Sequence, residues 1–393
     1  MDNTQLDLDF ELDHETALQQ PRWNDSEAIQ LVRKELAGRP ALVSAADVHT
    51  LRGHLARVAR GEAHVVQSGD CAEDPDESTA GHVHRKAAVL DLLAGALKLI
   101  THKPVVRVGR IAGQYGKPRS QDTEVVDGRE LPVFRGHMVN APEPDPELRR
   151  PDPLRLLTGY MAASEITRHL GWAPDCPRRA EPEVWTSHEA LLLDYELPMV
   201  RRSYDGRPLL TSTHFPWIGE RTRQVDGAHV ALLAEVANPV ACKVGPSMSP
   251  GELLELCRRL DPAREPGRLT LISRMGARAV SERLPALVTA VRDAGHPVIW
   301  LCDPMHGNTV KAPTGHKTRY LETVEQEVRA FRFAVAESGG VAGGLHLETT
   351  PDDVTECTRS VESAHRIGES YTTFCDPRLN PSQAVSVVTA WQR

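Results

Sequence analysis

Eight apolar, β-branched runs recur along the chain, at 64–70, 105–111, 184–188, 209–215, 240–245, 269–274, 297–302 and 344–348. Each is followed by a polar cluster and then by a stretch of helical period, an alternation that restricts the chain to an α/β fold with parallel strands. Runs this short and this apolar predict strands covered on both faces. Eight repeats predict one (β/α)8 TIM barrel spanning residues 1–393. An open doubly wound sheet would want Gly-x-Gly-x-x-Gly after the first strand, and the chain has none there.

The connecting stretches carry helix grammar. Val89, Leu93, Ala96, Leu97 and Ile100 fall on one helix face. Ser249-Pro250-Gly251-Glu252 supplies an N-cap, a first-turn proline and a capping-box acid. Thr350-Pro351-Asp352-Asp353 repeats that pattern and predicts a helix after the last strand. Two parts stand outside the repeat. Residues 1–60 are expected to form an N-terminal helical extension, packed outside the barrel or in a subunit interface. Residues 121–183 are too long for one crossover helix and read as a rim insertion, with Ala141-Pro142-Glu143-Pro144-Asp145-Pro146 as an exposed loop.

Lys and Arg number 46 against 54 Asp and Glu, a net charge of −8 that argues against a nucleic-acid binder. An anionic ligand must therefore be held by a local cationic pocket. The acidic start, Met1 to Asp9, lacks the basic and apolar regions of a signal peptide. The apolar stretch from Ala87 to Ile100 is broken by Asp91, Gly95 and Lys98, so no membrane span is expected. Seven cysteines without a Cys-x-x-Cys pair argue against a disulfide framework, and a cytoplasmic location is expected.

In such a barrel, polar residues at the strand C-termini converge on one site. Cys71 follows the first run, His306 the seventh, Glu348 closes the eighth and Asp376 opens a later loop. A thiolate, an imidazole and two carboxylates gathered there would bind a divalent metal, a donor set that leaves Mn²⁺, Co²⁺, Fe²⁺ and Zn²⁺ open. Cations gather at the same end. Arg107 and Arg110 lie in strand two, Lys117 and Arg119 after it, Arg221 and Arg223 with Glu220 after strand four, Lys243 in strand five and Arg274 at the end of strand six. Charge inside apolar strands needs a partner, and several such cations imply a ligand bearing phosphate and carboxylate.

Taken singly, each residue has a plainer reading. Cys71 could be a packed thiol, His306 a satisfied loop histidine, and Glu348 or Asp376 a helix cap. Arg274 and Lys243 could pair with Glu220 or Asp303. Their shared position at one end of successive strands favours a common site. His82 and His84 read as surface histidines, and Cys176, Cys242, Cys257, Cys302 and Cys357 as structural thiols. Cys375, beside Asp376, stays open as a neighbour of the metal.

Nine motifs in order carry a family resemblance over nearly the whole chain. They begin with Gln67-Ser68-Gly69-Asp70-Cys71-Ala72-Glu73, Arg110-Ile111-Ala112-Gly113-Gln114-Tyr115-Gly116-Lys117-Pro118-Arg119-Ser120 and Thr186-Ser187-His188-Glu189. Trp217-Ile218-Gly219-Glu220-Arg221-Thr222-Arg223-Gln224, Lys243-Val244-Gly245-Pro246 and Arg274-Met275-Gly276 follow. The last are Asp303-Pro304-Met305-His306-Gly307-Asn308, His346-Leu347-Glu348 and Cys375-Asp376-Pro377-Arg378-Leu379-Asn380. The chain resembles a type II 3-deoxy-D-arabino-heptulosonate 7-phosphate (DAHP) synthase.

The resemblance implies condensation of phosphoenolpyruvate with erythrose 4-phosphate, the opening step of the shikimate route. It implies Cys71, His306, Glu348 and Asp376 as ligands of Mn²⁺ or Co²⁺. It implies Arg110, Glu220, Arg221, Lys243 and Arg274 as the phosphoenolpyruvate site, with Lys117 as proton donor or carbonyl contact and Glu220 positioning water. A homo-oligomer is expected by analogy. Two departures stand out. His137 replaces a common aspartate, which bears on acceptor handling, and Ser68 replaces a frequent glycine. The chain also looks short beside feedback-regulated members and resembles forms from phenazine and other secondary-metabolite pathways, so weak inhibition by aromatic amino acids is expected. His137 keeps open an amino-sugar phosphate acceptor, as in aminoDAHP synthesis. A non-catalytic regulatory relative would be expected to lose ligands, and none is missing.

Overall fold

The computed structural model describes residues 16–126, 128–173 and 183–392; the acidic start and Cys176 lie outside the described residues. The barrel strands are β1 (His64–Gly69), β2 (Val105–Arg110), β3 (Val184–Thr186), β4 (Trp217–Ile218), β5 (Val240–Val244), β6 (Leu269–Ser273), β7 (Ile299–Cys302) and β8 (Ala342–Glu348). They pair in the order β3-β2-β1-β8-β7-β6-β5-β4, every pairing parallel. The two ends meet through a parallel bridge between Glu189 and Trp217. There Trp217 N donates to His188 O at 3.0 Å, and Ala190 N donates to Trp217 O at 3.0 Å. The sheet closes into a (β/α)8 barrel without an edge strand.

Every residue of β1, β5, β6 and β7 is buried, the polar ones among them included. Gly344 marks a tight passage between strands. Its φ is +146°, and a Cβ there would lie 1.9 Å from Val65 O. Only glycine fits where β8 presses on β1 beside the register shift against β7.

The fourth strand corrects the expected 209–215. Pro208–Leu210 pairs antiparallel with Val200–Arg202 instead. Asn238 then serves the backbone that follows: its Oδ1 accepts from Leu210 N at 2.9 Å, and its Nδ2 donates to Leu210 O and Thr213 O, each at 3.0 Å. One side-chain amide makes the bonds a ladder would have made, so the strand starts only at Trp217. The helix expected after Thr350 is also absent. Residues 351–352 form bends, and the helix starts at Pro381, where Asn380 and Gln383 form a reciprocal capping box. Ser249 caps the helix Pro250–Leu260 as its motif predicts, accepting from Glu252 N at 3.2 Å.

Helix α1 (Ser26–Gly38) lies beside helix Leu154–His169, whereas α2 (Ala45–Ala59) sits under the barrel. Leu51, Leu55 and Val58 of α2 join Val65, Val108, Trp185, Trp217 and Ile299 in the barrel interior. The backbone of Gly267, just before β6, abuts Arg52 and Ala56, and Gly343 at the start of β8 abuts Val58. The N-terminal mouth is thus sealed with apolar side chains, leaving polar side chains to the opposite end. On the rim, β2 leads into a hairpin of Thr123–Val126 with Arg129–Pro132 and then the helix Leu154–His169. No helix of the described residues is long and apolar enough to cross a membrane.

Leu55 is 0% exposed and Leu31, on α1, is 69% exposed. Leu55→Ala should destabilise the fold by about 2–5 kcal/mol. Leu31→Ala should stay within about 0.5 kcal/mol of the parent. Equal denaturant midpoints for the two variants would show that α2 is not packed into the barrel.

Candidate active site

Each strand turns its last inward side chain toward the open end. Cys71 follows β1, Glu348 ends β8, and Asp376 arrives on the loop before the C-terminal helix. The ligand atoms of these three residues lie within 4.8 Å of one another. His306, in the turn after β7, brings Nε2 to 3.2 Å from Glu348 Oε1. Its Nδ1 donates to Asp303 Oδ2 at 2.7 Å, which fixes the tautomer and turns Nε2 toward Glu348, although His306 stands outside the tighter group of Cys71, Glu348 and Asp376. One thiol, one imidazole and two carboxylates therefore converge, a set that fits a divalent cation of intermediate softness.

The electrostatics are consistent with that fit. Burial would raise the Glu348 carboxyl, but His306, Arg319 and Arg110 outweigh it and hold the group well below the usual carboxylate range. Burial also opposes ionisation of Asp376, yet Lys117, Arg319 and Lys317 keep it strongly acidic. Burial, the Cys375 thiol and the Glu348 charge push the Cys71 thiol far up, with Lys117 acting against them. A thiol in that position becomes a ligand by exchanging its proton for a cation.

Beside these donors opens a cavity of about 330 Å³ whose lining includes Arg110, Lys117, Glu189, Glu220, Lys243 and Arg274. Arg110 joins the two halves. Its Nη2 donates to Glu348 Oε1 at 3.1 Å, its Nε to Asp70 O at 3.1 Å, and its plane covers Trp217 at 5.2 Å. Underneath, Arg110 Nη1 donates to His346 Nε2 at 2.7 Å, and His346 Nδ1 donates to Gln67 Oε1 at 2.7 Å. Gln67 Nε2 in turn donates to Ser187 Oγ at 2.6 Å. Burial, with Lys243 and Arg110 nearby, holds the His346 imidazole neutral, as that chain of bonds requires.

Lys243 Nζ reaches Asp303 Oδ2 at 2.6 Å; burial pulls its ammonium down to about 8 and Asp303 acts against that. Lys117 Nζ donates to Cys71 O and Cys71 Sγ, each at 3.0 Å. Burial works against the Lys117 charge, but Cys71, Glu348 and Asp376 hold it protonated well above the usual lysine range. On the outer wall, Arg221 Nη2 donates to Ser120 Oγ at 2.7 Å, and Lys317 Nζ pairs with Asp376 Oδ1 at 3.0 Å.

Three sequence expectations need correction. Arg107 faces outward and pairs with Asp91 on the helix Ala80–Thr101, because residues 107 and 110 of one strand point to opposite faces. Arg223 braces Glu220 at 2.9 Å and also pairs with Glu252, so it orients an acid and does not line the cavity. His137 lies outside the cavity lining. Its ring packs edge-on against Phe374 at 4.8 Å and Phe134 at 5.2 Å, and Nδ1 contacts Glu73 O at 3.0 Å.

The sequence reading also missed two residues. Glu189, directly after β3, puts a carboxylate into the cavity wall, where burial raises its pKa. Its position as the acid closing Thr186-Ser187-His188-Glu189 was the available signal. Arg319 pairs with Glu348 Oε2 at 2.8 Å beneath the metal donors. It lies far from any barrel strand terminus, so strand periodicity could not reveal it.

Asp303→Asn should weaken Mn²⁺ binding about 10- to 100-fold, because it loosens His306 and leaves the Lys243 ammonium buried without its carboxylate. Titration of metal-free protein checks this. Unchanged affinity would remove Asp303 from the orientation of His306.

A family model described as the Class-II DAHP synthetase family matches residues 10–173 and 167–390. A probable phospho-2-dehydro-3-deoxyheptonate aldolase from Pseudomonas fluorescens is 57% identical, covering 96% of this chain and 94% of its own. A phospho-2-dehydro-3-deoxyheptonate aldolase from Streptomyces coelicolor is 41% identical, covering 94% and 93%. Among solved structures, a truncated 3-deoxy-D-arabino-heptulosonate 7-phosphate synthase from Thermotoga maritima covers 84% of this chain and 85% of its own, at 14% identity and a TM-score of 0.42.

Proposed function

The chain belongs to the Class-II DAHP synthetase family, and on that premise we propose that it condenses phosphoenolpyruvate with erythrose 4-phosphate to DAHP and phosphate, with Mn²⁺ or Co²⁺ held by Cys71, His306, Glu348 and Asp376. The observation that carries this reading is the single wall shared by the metal donors and the cation-lined cavity, with Arg110 bonded to Glu348 at 3.1 Å. A bound divalent cation supplies Lewis-acid polarisation of the aldehyde.

The protein's own residues do the rest. Arg110, Arg221, Lys243 and Arg274 hold the phosphate and carboxylate of phosphoenolpyruvate and fix its C3 against the aldehyde carbon. Lys117, kept charged at the metal side, faces the aldehyde oxygen and supplies a proton as C3 attacks and the new C–C bond forms. Water then adds to C2, its proton passing to Glu220, which Arg223 holds in place at 2.9 Å. Cleavage of the C2–O bond releases phosphate and leaves the ketone of DAHP. Arg119, Ser120 and Lys317 on the outer wall suit the second phosphate, that of erythrose 4-phosphate.

We assign the product to phenazine or other secondary metabolism. Among the described residues the segment between β2 and β3 holds one hairpin and one full helix, little for a regulatory site to be built from. With His137 tied between Phe134 and Phe374, the amino-sugar acceptor loses its motive.

Loss of phosphoenolpyruvate absorbance with erythrose 4-phosphate should cease in EDTA and return with Mn²⁺ or Co²⁺. Arg274→Ala should lower kcat/KM for phosphoenolpyruvate about 10- to 100-fold, mainly through KM. Folded, metal-loaded protein that turns over only an amino-sugar phosphate, or nothing, would overturn the acceptor assignment. Potent inhibition by micromolar Phe, Tyr or Trp would overturn the secondary-metabolic one.

A further inference from the structure

Glu327 is fully buried on the helix Leu321–Glu337, outside the barrel wall and in neither half of the site described above. Its two oxygens reach two different active-site loops. Oε1 accepts from Gly276 N at 2.8 Å, on the loop that begins with Arg274. Oε2 accepts from Asn308 Nδ2 at 2.5 Å, on the turn that carries His306. Asn308 then ties the same loops together: its Nδ2 also donates to Pro304 O at 2.8 Å, and its Oδ1 accepts from Ala277 N at 3.0 Å.

The loops touch where both have glycine. A Cβ on Gly307 would lie 2.4 Å from Gly276 N, and one on Gly276 would lie 2.9 Å from Gly307 O. With no side chains between them, the spacing of the loops is set by the groups that bridge them. We propose that Glu327 is a positioning residue that fixes the distance between Arg274 and His306, so that cation affinity and phosphoenolpyruvate affinity are set together from outside the barrel. This inference rests on the function proposed above.

The chemistry demands a carboxylate. Both partners are N–H donors, so both oxygens must accept, and a glutamine would turn an NH₂ toward one of them. Burial and the charge of Asp303 push the Glu327 carboxyl up to about 8, against the pull of Gly276 N and Asn308, so the doubly accepting carboxylate is the form that prevails above that pH. A buried acid kept at that cost, outside the cavity lining, is explained by what it holds.

The test compares parent, Glu327→Gln and, as a control at the exposed end of the same helix, Glu337→Gln. Mn²⁺ binding to metal-free protein is read by electron paramagnetic resonance. Phosphoenolpyruvate binding is read by quenching of tryptophan emission, since Trp217 lines the cavity. In Glu327→Gln both dissociation constants should rise about 10-fold while the KM for erythrose 4-phosphate stays within about 2-fold. The control should match the parent. Should Glu327→Gln fail to fold, Asn308→Ala keeps the Gly276 bond and should give the same paired weakening. Parent protein that binds neither ligand would overturn the functional reading. A folded variant binding both as the parent does, or one whose erythrose 4-phosphate KM rises in the same proportion, would overturn the positioning role alone.

Discussion

The rest of the site depends on the Glu348 carboxylate, which is 0% exposed. Arg319 pairs with it from below at 2.8 Å, Arg110 from the cavity at 3.1 Å, and His306 Nε2 lies at 3.2 Å. Three cationic or potentially cationic groups in a dry interior are costly unless an anion answers them. Glu348 answers the two guanidiniums outright and lies beside the imidazole. Removing it would strand Arg110 and Arg319 in the core, so the carboxylate is structural in its own right. The cluster of Cys71, Glu348 and Asp376 and the cation-lined cavity are therefore one electrostatic unit.

Asp303 repeats the device on the neighbouring strand. It accepts from His306 Nδ1 and from Lys243 Nζ, serving the imidazole and a cavity-lining cation with one oxygen. A chain with net charge −8 cannot attract a multiply charged anion through its overall field. The attraction is local, built from Arg110, Lys243 and Arg274 over the faces and edges around Trp217. Arg110 and Lys243 are each tied to a buried carboxylate, Glu348 and Asp303.

The fold was legible because buried parallel strands must be apolar, and seven of the eight runs became strands in place. The exception is instructive. The run at 209–215 is as apolar as the others, but Asn238, over twenty residues away, takes its backbone bonds. Periodicity reports burial, and the identity of the hydrogen-bond partner is a tertiary fact. The same limit explains Thr350-Pro351, where local capping grammar yielded no helix. In the site, residues at strand ends were legible from position alone, as with Cys71, His306 and Glu348. Arg319, reaching Glu348 from a loop, and Arg107, on the wrong face of its strand, needed coordinates.

The two ends of the barrel divide one conflict between stability and chemistry. At the N-terminal end, Leu51, Leu55 and Val58 meet Val65 and Ile299, and burial supplies the favourable free energy. Toward the C-terminal end the interior turns polar, through Ser187, Gln67 and His346 to Arg110, and each bond satisfies a group that would otherwise be stranded. That column binds nothing itself. It allows a guanidinium to stand in the interior with its orientation fixed before any ligand arrives, which lowers the ordering cost at the moment of binding. The dry floor is what makes this arrangement tolerable, since a rigid apolar base confines the polar layers to one end and keeps water from competing below them.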